Sequence, residues 1–234
     1  KQALEFLARP RKKPFAMVLS HKAVHYPYLP AARHNDLYND YEFKLPEVPP
    51  EDLAGKPAIT KPERPLPAID LEGVAPEPGE SRRGRGRQAA SVVRDQLRCL
   101  ASVDEGVGQI LAALEKSGEL DRTLIVYTSD NGYLMGEHRR VDDKRWPYEP
   151  AIRVPLLLRY PPLIKPHTVR EQLVLNIDLA PTLLDLAGVK PLEPMHGQSM
   201  LPILRDDHAP WRTEFLAEYF IEKVSPVPAW QAVR

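Results

Sequence analysis

Residues 100–132 read LASVDEGVGQILAALEKSGELDRTLIVYTSDNG, and they hold two different periods side by side. Apolar residues at Leu100, Val103, Val107, Ile110, Leu111 and Leu114 recur at three- and four-residue steps. That spacing puts them on one face of a helix. The pattern reaches back to Val92 and Leu97 and begins near Gln88. Gly118 stops it. Then RTLIVYTS (122–129) is a continuous apolar run, as in a strand covered on both faces. It breaks into a dense polar group: Asp130, Asn131, Glu137, His138, Asp142, Asp143 and Lys144.

Working outward, residues 1–9 are helix-like and PFAMVLS (14–20) predicts a second buried strand. HKAVHYPYLPAARH follows it, rich in His, aromatics and Pro. From about Asn35 to Arg87 the chain is polar and Pro-rich with no sustained period, which predicts a long surface excursion. RVPLLLRYP (153–161) predicts another strand. QLVLNIDLAPTLLDLAGV (172–189) predicts a short strand and then a helix, with Asp178 as N-cap, Pro181 in the first turn and Gly188 at the end. WRTEFLAEYF (211–220) predicts a further strand. Strand, long helix, strand, strand, helix is the order of an α/β domain with a largely parallel sheet flanked by helices.

Composition is that of a globular chain. Of 234 residues, 43% are hydrophobic and 27% charged, enough for a sizeable core. The formal net charge is zero, so nothing points to nucleic acid or an anionic membrane. No apolar run approaches the roughly 18 residues of a membrane span. The single cysteine, Cys99, excludes an internal disulfide framework. The opening KQALEFLARPRKKPFAMVLS reads as the end of a helix running into a strand, as in a processed chain or a fragment. SRRGRGRQ (81–88) is a short basic run that reads as a solvated loop or helix lead-in, or as an anion-binding patch.

In open α/β sheets, ligands bind outside the carboxyl ends of the strands. The run at 14–20 delivers His21, Lys22 and His25 there, and the run at 124–128 delivers Asp130 and Asn131. A carboxylate beside an amide carbonyl is a pair of hard oxygen donors suited to Ca²⁺ or Mg²⁺. SDNG is also turn chemistry by itself, so an Asx turn fits those residues equally. Lys144 can hold a tetrahedral anion as a point charge, or pair with Asp142 and Asp143 at the surface. His138 in GEHR and His25 in VHYP would each pass, alone, for ordinary surface or loop histidines.

Together these segments resemble the sulfatase family, in the part C-terminal to its nucleophile, along nearly the whole chain. FAMVLSHKAVHYPYLP looks like the family's strand leading to an H-x-P element. Residues 100–132 look like its long helix and metal-bearing strand. GEHRRVDDKRWPYEPAIRVPLLLRYP looks like its G-E-H…K…Y-E…R-V-P block. NIDLAPTLLDLAGV and MHGQSMLPIL look like the helix and loop that follow. The resemblance implies an alkaline-phosphatase-like fold lacking part of its N-terminal half. Residues 1–210 would be the C-terminal portion of the catalytic domain, and 211–234 the start of a C-terminal subdomain. It implies that Asp130 and Asn131 are metal ligands, usually for Ca²⁺. Lys144 would bind the sulfate, His25 would contact the sulfate or its leaving oxygen, and His138 would line the substrate pocket. It further implies a formylglycine nucleophile, made from Cys or Ser in a C/S-x-P-S/A-R motif. The look is nearest to branches acting on sulfated sugars such as glycosaminoglycans, in a periplasmic, secreted or lysosomal setting.

The departures are equally specific. No C-x-P-S-R or S-x-P-x-R motif occurs, and the early Asp pair of the family's metal site is absent. Cys99 lies inside the helical pattern, where it reads as a packing residue. These residues would not turn over substrate by themselves. Two alternatives stay open: a phosphonate monoester hydrolase or phosphodiesterase of the same superfamily, and a non-catalytic anion- or sugar-binding relative.

Overall fold

In the computed structural model, the described residues are 1–44, 46–60, 89–191, 194–222, 225 and 227–234. In chain order the elements are α1 (Gln2–Leu7), α2 (Pro57–Thr60), α3 (Ala89–Lys116), β1 (Ile125–Thr128), β2 (Leu134–Met135), β3 (Val141–Asp143), α4 (Glu149–Ile152), β4 (Leu156–Arg159), α5 (Leu179–Leu186), α6 (Leu201–Arg205), β5 (Leu216–Tyr219) and β6 (Trp230–Val233). The class is mixed α/β. No helix among the described residues is long and apolar enough to cross a membrane. The chain divides into two compact units.

The first unit comprises Lys1–Leu120, Tyr133–Trp146 and Glu222–Val227. Its axis is α3, a helix of 28 residues. Val92 and Cys99 on its inner face pack with Tyr28, and Ala23 and Tyr26 close over that cluster. Cys99 is thus the packing residue the sequence predicts. Burial pushes its thiol pKa up, Asp95 pushes the same way, and the Leu29 backbone only partly offsets them. A thiol held neutral in this way is no nucleophile.

The end of α3 shows why Gly118 matters. Gly118 has φ +70°. In that left-handed turn Gly118 N–H donates to Glu115 O and Glu119 N–H to Leu114 O at 2.9 Å each, capping the last carbonyls. Arg11 then ties α1 to this end. Its Nη1 donates to Leu7 O at 2.8 Å, and its Nη2 meets Glu119 Oε2 at 2.7 Å. The start of the Pro-rich excursion is stapled to α3 as well. Arg94 Nε donates to Tyr38 O at 3.0 Å, and Arg98 Nε to Leu37 O at 2.9 Å. The excursion also folds locally, with a 3₁₀ turn at Pro50–Leu53 and then α2. Its stretch 61–88, including the basic run 81–88, lies outside the described residues. β2 and β3 form an antiparallel pair, Leu134 opposite Asp143.

The second unit comprises Asp121–Gly132, Pro147–Ile221 and Pro228–Arg234. Here β1 and β4 pair antiparallel, with Val126 opposite Leu158. Leu124, Val126 and Leu158 share an apolar gap with Leu179 and Leu183 of α5 and Leu204 of α6. β5 and β6 make a second antiparallel pair, Leu216 opposite Val233.

Three expectations change. All the ladders among the described residues are antiparallel pairs, so the largely parallel sheet is not seen there. Residues 14–20 form no ladder, and Val18 is 93% exposed. An apolar run becomes a strand only where a neighbour accepts its backbone bonds, and none of the described ladders includes it. Residues 172–175 likewise form no strand; a 3₁₀ turn at Asn176–Asp178 leads straight into α5.

Candidate active site

β1 ends at Thr128, and the chain turns at once through Ser129. Ser129 Oγ donates to Asn131 O at 2.9 Å, which closes the turn. Asn131 Nδ2 donates to Gly132 O at 2.7 Å. With its nitrogen engaged by the backbone, the amide has Oδ1 as its acceptor atom, and the preceding residue, Asp130, is exposed. Gly132 fixes where the turn goes. Its N–H donates to Ala151 O at 2.9 Å. A Cβ at this position would fall 2.0 Å from Pro150 O, so only glycine allows the approach. The turn chemistry and the ligand reading are compatible, because the turn bonds use the Ser129 hydroxyl and the Asn131 amide nitrogen rather than the Asn131 side-chain oxygen.

These donors fit part of a hard-cation shell. Two oxygens are well short of the about six to eight that calcium takes. Among the described residues no group of three or more His, Cys, Asp or Glu could hold a metal. Asp130 and Asn131 are therefore a partial set, of the right chemistry.

Asp130 and Asn131 belong to the second unit; His25, His138 and Lys144 belong to the first. His25 is exposed in a turn where its N–H donates to Lys22 O at 3.0 Å. Its Nδ1 lies 3.0 Å from Lys22 Nζ and 2.8 Å from Tyr26 O. A neutral imidazole serves one of these at a time. Lys22 donates into Nδ1 when the ring proton is on Nε2, whereas the Tyr26 carbonyl accepts when it is on Nδ1. Lys144 is half-buried just after β3, two residues before Trp146, which is 2% exposed.

His138 is held most firmly. It has φ +52°. Its neighbour Glu137 accepts from Met135 N–H at 2.7 Å. Its own Nδ1 stands 2.7 Å from Asp52 Oδ2. The sequence gives no hint of Asp52, which follows Glu51 in a Pro-rich segment with no periodic signal. Lys22 was visible beside His25, but its contact with that ring was not.

The family model described as Sulfatase matches residues 1–189. A curated N-acetylglucosamine-6-O-sulfatase of Bacteroides thetaiotaomicron is 32% identical across 94% of this chain and 48% of its own length. A solved structure described as in complex with its substrate D-glucosamine-2-N,6-O-disulfate superposes with a TM-score of 0.83. It is 29% identical, and the match covers 100% of this chain and 57% of that one. A phosphonate monoester hydrolase from Silicibacter pomeroyi superposes with a TM-score of 0.67 at 28% identity, over 86% of this chain and 40% of that one. The chain thus spans about half the length of the relatives it matches, or less.

Proposed function

The chain belongs to the sulfatase family, and on that footing we propose that it forms part of a sulfuric ester hydrolase acting on sulfated sugars. The observation that carries the substrate class is the 32% identity to an N-acetylglucosamine-6-O-sulfatase along 94% of this chain. Residues 1–210 then belong to the catalytic domain and 211–234 open a C-terminal subdomain. A periplasmic, secreted or lysosomal setting goes with that reading.

Each residue has a role its chemistry supports. Asp130 and Asn131 would hold a hard cation, Ca²⁺ or Mg²⁺, through one carboxylate and one amide oxygen. Such a cation, when bound, supplies Lewis-acid stabilisation of charge on the sulfate oxygens. Lys144 offers a compact positive charge suited to a sulfate group. Cleaving the ester's S–O bond leaves an alkoxide oxygen that needs a proton. His25 can donate it from Nε2 as a protonated ring, whose Nδ1–H is then placed to donate to the Tyr26 carbonyl. His138 contacts the sugar. No C/S-x-P-S/A-R motif occurs in these 234 residues, so the formylglycine nucleophile must come from outside them.

A second reading has one observation behind it, the likeness to a phosphonate monoester hydrolase. Assay of the full protein on a matched aryl sulfate and aryl phosphodiester separates the two. We expect a strong preference for the sulfate; a preference for the phosphodiester replaces the first reading with the second.

A further inference from the structure

Asp52 lies 86 residues before His138, in the 3₁₀ turn Pro50–Leu53 of the Pro-rich excursion. Its two oxygens are divided between partners. Oδ2 meets His138 Nδ1 at 2.7 Å, and Oδ1 lies 3.8 Å from Lys56 Nζ. Lys56 also donates to the Asp52 carbonyl, so the acid is held through both its backbone and its side chain. Ile59, 7% exposed in α2, anchors the same segment. On the other side, the His138 side chain is only 16% exposed.

An ionised carboxylate only accepts, so Nδ1 carries the hydrogen whether the ring is neutral or protonated. In the neutral ring Nε2 is then an acceptor. The backbone is held too: a histidine at φ +52° is in the left-handed region that side chains seldom adopt. The ring is 16% and the Asp52 side chain 34% exposed, so the pair is partly covered, and it joins segments 86 residues apart.

We infer that Asp52 is a positioning residue for His138, fixing its Nδ1–H tautomer so that Nε2 accepts a hydrogen bond from a hydroxyl or amide N–H of the sugar. This rests on the proposed function insofar as His138 meets a saccharide; the tautomer does not. Recognition of the sugar would then involve a segment that carries no catalytic motif.

Two measurements on the full protein decide it. NMR of isotopically labelled histidine ring nitrogens reads the tautomer, with His138→Gln identifying the signal. We expect the Nδ1–H signature in the wild type. Asp52→Ala should lose it, and Asp52→Asn, whose Oδ1 still accepts, should keep it. On a 6-sulfated glucosamine, Asp52→Ala should raise KM about tenfold with a smaller change in kcat, the loss of one charge-assisted hydrogen bond. The double variant with His138→Gln should be no worse than His138→Gln alone. An unchanged tautomer in Asp52→Ala, or effects on KM that multiply, overturns the inference. Absence of sulfate release by the wild type removes the functional reading instead, while the ring-nitrogen signature still decides the pairing.

Discussion

Arg212 closes its guanidinium on both carboxylate oxygens of Asp178, a side chain with no exposed surface. Nη2 meets Oδ1 at 2.7 Å, and Nη1 contacts Oδ2. Asp178 also accepts from Leu175 N–H at 2.8 Å and Gln198 N–H at 2.9 Å. One carboxylate therefore fixes the entry to α5, the loop before α6 and the approach to β5. Burial alone would raise its pKa. The Arg212 bonds and the two backbone N–H groups outweigh burial and leave it below the usual carboxylate range.

Removing Asp178 strands a guanidinium that is only 14% exposed. Asp178→Ala should cost about 3–5 kcal/mol of stability, as for breaking a buried ion pair. Asp178→Asn should cost less, because an amide keeps the shape. Urea unfolding of the three proteins checks the order. The pH dependence follows from the lowered folded-state pKa. The contribution is full above the carboxylate's unfolded-state pKa and is lost as pH falls through the folded-state value. The urea midpoint of the wild type should therefore drop on acidification more than that of Asp178→Asn.

This pair marks the limit of what local pattern reveals. Asp178 reads in sequence as a helix N-cap, and it does precede α5. Its side chain makes no cap hydrogen bond to α5; its oxygens go instead to Leu175 N–H, Gln198 N–H and Arg212, 34 residues on. Elements defined by local period and punctuation were legible: α3 with Gly118 after it, the core of β1, β4, and α5 with Gly188 after it. The 14–20 run was not, since strand formation depends on a neighbour the run itself does not encode. In the candidate site, Asp130 and Asn131 were readable because a strand end and a turn motif coincide there. Asp52 was not, because only tertiary folding brings a Pro-rich segment to His138.

Gly132 offers a test of how the ligand turn is built. Gly132→Ala drives a methyl group into Pro150 O. We expect a loss of about 1–3 kcal/mol, in the range of overpacking, together with weaker calcium binding. Urea unfolding and calorimetric calcium titration measure the two effects on one sample. A stable Gly132→Ala protein with wild-type calcium affinity would mean the close approach does not shape the site.

Asp130→Ala and Lys144→Ala should fail in different ways. The first should weaken metal binding and nearly abolish sulfate release. The second should keep its metal but lose about a hundredfold or more in kcat, the scale of removing one charge-stabilising group. Metal content by mass spectrometry, set beside turnover, distinguishes them. Loss of metal from Lys144→Ala would show its role to be misassigned.

The most direct measurement is free sulfate released by the full protein from N-acetylglucosamine 6-sulfate, with and without a chelator. Steady sulfate release that stops on chelation and resumes when Ca²⁺ or Mg²⁺ is restored is the expected result. No release from a metal-replete protein carrying its formylglycine, or release indifferent to chelation and to Asp130→Ala, would contradict a metal-assisted sulfatase.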